Sequence, residues 1–91
     1  MKNLKELHLM SSKITTISPE IKHLKKLKTL NLTRNTQLKE LPKEIEELEA
    51  LENLYAVQTN IQELPANIGK CKNLRNLFLQ YSSMKSLPTS L

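Results

Sequence analysis

Apolar residues recur along this chain in two linked series. Leu4, Leu27, Leu51 and Leu74 each open a short segment, followed by Leu7 and Leu9, Leu30 and Leu32, Leu54 and Ala56, and Leu77 and Leu79. The four openings stand 23, 24 and 23 residues apart. Alternation within each segment puts two apolar side chains on one face of a short strand and the intervening residue on the other. Strands are therefore expected near residues 6–10, 29–33, 53–57 and 76–80. A second apolar pair follows each strand: Ile14 and Ile17, Leu38 and Leu41, Ile61 and Leu64, Met84 and Leu87. Proline comes next at Pro42, Pro65 and Pro88, with Pro19 one step late, and marks the limb's end because it cannot donate a ladder hydrogen bond. The spacing of Ile21 to Leu24, Ile45 to Leu48 and Ile68 to Cys71 then suits a turn of 3₁₀ or α-helix with one buried side.

The repeated unit, L-x-x-L-x-L followed by L-P-x-x-I-x-x-L, resembles the leucine-rich repeat family. Short intracellular repeats of this variant are common in bacterial and plant proteins. The resemblance implies an α/β right-handed solenoid of four coils. Its parallel sheet would line the concave face, with short helical or 3₁₀ turns on the convex side. One domain over residues 1–91 is expected, with repeats at 4–26, 27–50, 51–73 and a truncated 74–91. One unit cannot bury its apolar face alone, whereas three or more stacked units can. Two departures stand out. The family usually carries Asn where the strand turns away, and here that column reads Ser12, Asn35, Thr59 and Ser82. Ser and Thr make weaker versions of the Asn bonds. The extra residue of the second repeat falls between Asn35 and Leu38 and is expected to form a bulged loop.

Uncapped solenoid ends expose leucines and strand edges, so end-to-end self-association, or membership of a longer chain, is expected. No apolar run approaches the ~20 residues that span a bilayer, so membrane insertion is not expected. Cys71 occupies a core column and reads as a small buried hydrophobe. Extracellular members of the family generally carry disulfide-rich caps, which one cysteine cannot supply. A reducing compartment is expected, either the producer's cytoplasm or a host-cell cytosol into which an effector is delivered.

A net charge of +5 first suggests nucleic acid. Aligning the repeats weakens that reading, because Lys25, Glu49 and Lys72 share one column and Lys28, Glu52 and Arg75 another. Alternating charge ladders between coils are expected, each exposed pair contributing about 0–1 kcal/mol. A nucleic-acid site wants an unbroken positive stripe with stacking partners, so no nucleic-acid partner is expected.

The residues between the inner leucines should point out on the concave side. That column reads His8, Asn31, Tyr55 and Phe78, and the next reads Met10, Thr33, Val57 and Gln80. Beyond lie Ser11, Arg34, Gln58 and Tyr81, and before them Glu6, Thr29, Asn53 and Asn76. All three aromatic residues fall on this surface, and charged residues are nearly absent from it. Aromatic, Met, Val and amide side chains with few charges match the composition of a protein-interface core. The bland reading is that the aromatics merely cover one another across strands. A partner protein bound chiefly on repeats three and four is expected, with an inhibitory or adaptor role as one outcome.

Catalysis is not expected. The chain has no Asp, one Cys in a core column, and His8 and His23 without a nucleophile or second ligand at fixed spacing. Glu6, Ser11 and Ser12 near His8 could be drawn as a triad, but repeated polar strand residues produce such groupings by chance. The lone Gly69 cannot build a phosphate-cradling loop, and neither a cofactor nor a metal is expected.

Overall fold

The computed structural model describes residues 3–79. The expectations for Gln80, Tyr81 and Ser82, and for the return limb of the fourth repeat, lie outside the described residues. Four strands, β1 (Glu6–His8), β2 (Thr29–Asn31), β3 (Asn53–Tyr55) and β4 (Asn76–Phe78), form one parallel sheet in chain order. Three 3₁₀ turns, η1 (Pro19–His23), η2 (Lys43–Glu47) and η3 (Ile68–Lys70), lie between successive strands and form the opposite limb of each coil. The leucine lattice sets the register, with Leu7, Leu30, Leu54 and Leu77 paired across the four strands.

The strands are three residues long, shorter than the alternation predicts. Lateral bonding itself runs further: Leu9 N–H donates to Asn31 O at 2.8 Å, and Ser11 N–H to Thr33 O at 3.0 Å. Ser11, Arg34 and Gln58 then take positive φ of 53°, 68° and 58°, which turns each coil off the sheet. This left-handed region disfavours a residue with a Cβ.

Apolar spacing of three decides for 3₁₀ geometry. Leu24 bonds back to Ile21 and Leu27 to Leu24, and the pattern repeats from Ile45 to Leu51 and from Ile68 to Leu74. Three residues per turn bring these side chains to one edge, toward the core. The late proline of the first repeat also has a local reason. Ser18 holds the position that Pro42 and Pro65 take in the next coils, and its hydroxyl accepts from Glu20 N–H at 3.2 Å, capping η1.

The core is deepest in the second and third coils, where Leu27, Leu30, Leu32, Leu38, Ile45, Leu48, Leu51, Leu54, Ile61 and Ile68 are fully buried. Leu4, Leu7, Leu9, Ile14, Ile17 and Leu24 of the first coil are only partly buried, because they are covered by a coil on one side. Replacing Leu54 by Ala should cost about 3 kcal/mol in chemical denaturation, and Leu7→Ala clearly less.

The Asn column divides as its chemistry predicts. Asn35, fully buried, donates from Nδ2 to Leu9 O at 2.8 Å and Leu32 O at 2.9 Å. Its Oδ1 accepts from Ser12 N–H at 3.0 Å and Ile14 N–H at 3.2 Å. Among the described residues, Thr59 bonds only within its own coil, to Ala56 O at 3.0 Å and from Ile61 N–H at 3.5 Å. The extra residue of the second repeat is absorbed in a turn at Thr36 and Gln37, closed by Leu38 N–H on Asn35 O at 3.0 Å. Asn35→Ala should therefore destabilise by roughly 2–4 kcal/mol, since it strands buried backbone groups, while Thr59→Ala should cost about 1 kcal/mol. Thermal unfolding of both variants checks the order.

Cys71 is buried in its column, and its Sγ–H donates to Ile45 O at 3.3 Å. Burial above all, then the nearby Glu46 carboxylate, pushes its thiol above the ordinary range. The fold thus favours the protonated thiol, so this contribution to stability is complete below the unfolded thiol range and is lost as pH rises through the higher folded one. A thiol-specific reagent at pH 8 should label Cys71 only as fast as the protein unfolds.

Candidate functional site: the concave sheet

Strand register sets the geometry of the exposed sheet face. His8, Asn31, Tyr55 and Phe78 are direct cross-strand neighbours in one column. Parallel strands lie ~4.7–4.9 Å apart. The rings of Tyr55 and Phe78 stack with centroids 4.8 Å apart and planes within 1° of parallel. The stack is therefore imposed by the backbone spacing, and each ring covers one face of the other. Both remain partly exposed.

The column beside it, Glu6, Thr29, Asn53 and Asn76, forms a side-chain chain across three coils. Asn76 Nδ2 donates to Asn53 Oδ1 at 2.6 Å, and Asn53 Nδ2 donates to Thr29 Oγ1 at 3.1 Å. Asn31 Oδ1 accepts from Thr33 N–H at 3.2 Å. On β1, His8 Nε2 lies 3.1 Å from Glu6 Oε1, both side chains well exposed. Further along, Met10 is 50% exposed and is the only exposed large apolar side chain among the described residues. Val57 is half-buried and Gln58 and Arg34 are exposed, each of the last two carried on a left-handed residue at the strand's end. The strand register brings His8, Asn31, Asn53, Tyr55, Asn76 and Phe78 of the predicted set together, and Gln80 and Tyr81 lie outside the described residues. Thr29, named in the same concave column as Asn53 and Asn76, is the acceptor at the end of the amide chain.

The charge ladders differ from expectation. Lys25 Nζ reaches Glu47 Oε1 at 4.0 Å and Glu47 O at 3.4 Å, a return-limb contact in place of the Glu49 pairing. Among the described residues, no ion pair within 4.0 Å closes Lys28 to Glu52 or Glu52 to Arg75. The main chain makes that column's contacts instead: Glu52 N–H donates to Lys28 O and Arg75 N–H to Glu52 O, both at 2.8 Å. Long exposed side chains in water lose more entropy than such a pair returns. On the convex side, Lys25, Glu46, Glu47, Glu49, Lys70, Lys72 and Asn73 line a cavity of about 510 Å³ with cations and carboxylates interleaved.

The grouping around His8 does not form a relay. Ser12 Oγ donates to Met10 O at 3.3 Å rather than toward the imidazole. No three His, Cys, Asp or Glu side chains among the described residues lie together as a metal site. Nor, among those residues, is any helix long and apolar enough to cross a membrane.

A family model described as leucine rich repeat matches residues 2–61. A solved leucine-rich repeat protein of Leptospira interrogans is similar over 98% of this chain, at 37% identity and a TM-score of 0.93. This chain spans 22% of the length of that one. None of the curated proteins compared with it matches. Folds of this kind generally mediate protein–protein interaction and are typically non-catalytic. With its coil geometry matched from strand to 3₁₀ turn and a family model covering more than half its residues, the chain belongs to the leucine-rich repeat family.

Proposed function

We propose that this chain is a non-catalytic binding module that holds one partner protein against its concave sheet. The stacked Tyr55–Phe78 pair forms the centre of the contact, with Asn31, Asn53, Asn76, Val57 and Gln58 around it and His8, Met10 and Arg34 at the margin. Gln80 and Tyr81 extend the contact in sequence. The observation that carries the reading is that pair, left partly exposed on a sheet face with few charges. Aromatic side chains are frequent hot spots, and a surface that is already ordered loses little entropy on docking. Such a face can mask a functional cleft of its partner, an inhibitory use of the same contact.

A second reading has its own support. Leu7, Leu9, Ile14, Ile17, Ile21 and Leu24 line an apolar trough of about 270 Å³ at the N-terminal face of the first coil. A further leucine-rich coil, or an end of another copy, would bury it as the second coil is buried.

The double variant Tyr55→Ala/Phe78→Ala should keep its fold by circular dichroism and bind a captured partner more weakly by about 2 kcal/mol or more, read by calorimetry. Unchanged affinity would refute the concave site. Loss of the complex only on Thr16→Arg, at the exposed rim of the trough, would favour the end-face reading.

A further inference from the structure

Hydrogen bonds within the concave face leave a set of side-chain donors open. Asn53 Oδ1 is taken by Asn76, Thr29 Oγ1 accepts from Asn53, and Asn31 Oδ1 is taken by the Thr33 N–H. The oxygens of three neighbouring side chains are thus engaged inside the sheet face. These bonds leave donors open to a partner, the second Nδ2 hydrogens of Asn53 and Asn76, both of Asn31 and the Thr29 hydroxyl hydrogen, beside the Asn76 Oδ1 acceptor. The guanidinium of exposed Arg34 adds five more at the strand's end.

Formal charge gives the face its sign. Exposed Lys5, Lys28 and Arg75 line the side where the strands begin, and exposed Lys13 and Arg34 the side where they end. Of nine acidic residues, only Glu6 and Glu52 border the sheet, and Glu6 is engaged by His8. The ring edges of a stacked aromatic pair carry partial positive charge, so Tyr55 and Phe78 contribute in the same sense.

We propose that the segment held on the concave sheet is an acidic stretch of protein, its carboxylates and main-chain carbonyls accepting from Asn31, Asn53, Asn76 and Arg34. The proposal rests on the concave-face reading above and adds the chemistry of the partner. Phosphate would also answer to donors and cations, but two features favour carboxylate. Tyr55 and Phe78 spend a face each on one another, which removes much of the stacking platform that single strands use. Glu6 and Glu52 interrupt the basic borders, whereas a polyphosphate chain is best matched by an unbroken positive track.

The test is selection of a random 12-residue peptide library displayed on phage against the immobilised chain at physiological salt. Selected peptides are then titrated by fluorescence anisotropy against the chain, Asn53→Asp, Arg34→Glu and Tyr55→Ala/Phe78→Ala. Asn53→Asp keeps the acceptor oxygen for Asn76 and replaces the donor by a carboxylate, and Arg34→Glu is exposed, so melting curves near the wild type are expected for both. Enrichment of Glu and Asp in the selected peptides, with binding at least tenfold weaker in Asn53→Asp and in Arg34→Glu, is the expected result. Neutral or basic peptides that bind and are lost in Tyr55→Ala/Phe78→Ala would overturn the acidic partner while sparing the concave site. Acidic peptides indifferent to all three variants, or no enriched peptide at all, would overturn the proposal together with that site. A 12-nucleotide single-stranded DNA that displaces the selected peptides at the same salt would overturn it in favour of phosphate.

Discussion

One coil of this chain carries an apolar edge too narrow to close on itself, so its leucines leave water only by lying against the leucines of another coil. Leu30 and Leu54 are fully buried because coils lie on both sides of them, whereas Leu7, in the same column, stays half-buried. The constraint dictates the rest. Coils must stack in register, since a slip would set Leu7, Leu30 and Leu54 against polar residues. In-register stacking then turns every non-core position into a column with a spacing fixed by the backbone. Tyr55 and Phe78 stack, and Asn53 and Asn76 bond, because the leucines beneath them have no other place to go.

Repetition made the fold legible in the sequence. Leu4, Leu27, Leu51 and Leu74 named the coils, the L-x-L alternation named the strands, and the apolar spacing from Ile45 to Leu48 named a 3₁₀ or α-helical turn that the structure resolves as 3₁₀. The location of the concave columns was equally plain, since parity along a strand assigns each residue to a face. Strand length was not legible, because the left-handed backbone at Arg34 and Gln58 has no residue type that announces it. Glycine or asparagine there would have done so. Charge contacts were the least legible. Lys25 sits in a column with Glu49 but reaches Glu47, since a long flexible side chain is not held to its own column.

The concave face and the convex limb use polarity in opposite ways. On the convex side, Lys25, Lys70 and Lys72 alternate with Glu46, Glu47 and Glu49, and the local field largely cancels. On the sheet, short side chains bond one another along the stacking direction, and those bonds have a common sense from Asn76 through Asn53 to Thr29. A cancelled surface favours solubility without preference, whereas an aligned one carries a sign that a partner can match.

Beside the main-chain ladder that joins every pair of neighbouring strands, the first three coils are tied by different kinds of atoms where the chain leaves the sheet. Between the first and second coils, the side chain of Asn35 reaches across to Ser12, Ile14 and Leu9. Between the second and third, the crossing bonds at the same level are main-chain ones, Asn60 N–H to Leu38 O at 3.0 Å and Gln62 N–H to Lys39 O at 3.4 Å. A main-chain bond survives the replacement of almost any side chain, proline excepted. The Asn35 contacts are specified by a single codon and can be erased by one, which leaves the main-chain bonds from Leu9 to Asn31 and from Ser11 to Thr33. Mutational robustness is therefore graded along the solenoid: one inherited change removes the side-chain part of the first joint, while the matching bonds of the second joint are indifferent to side-chain identity.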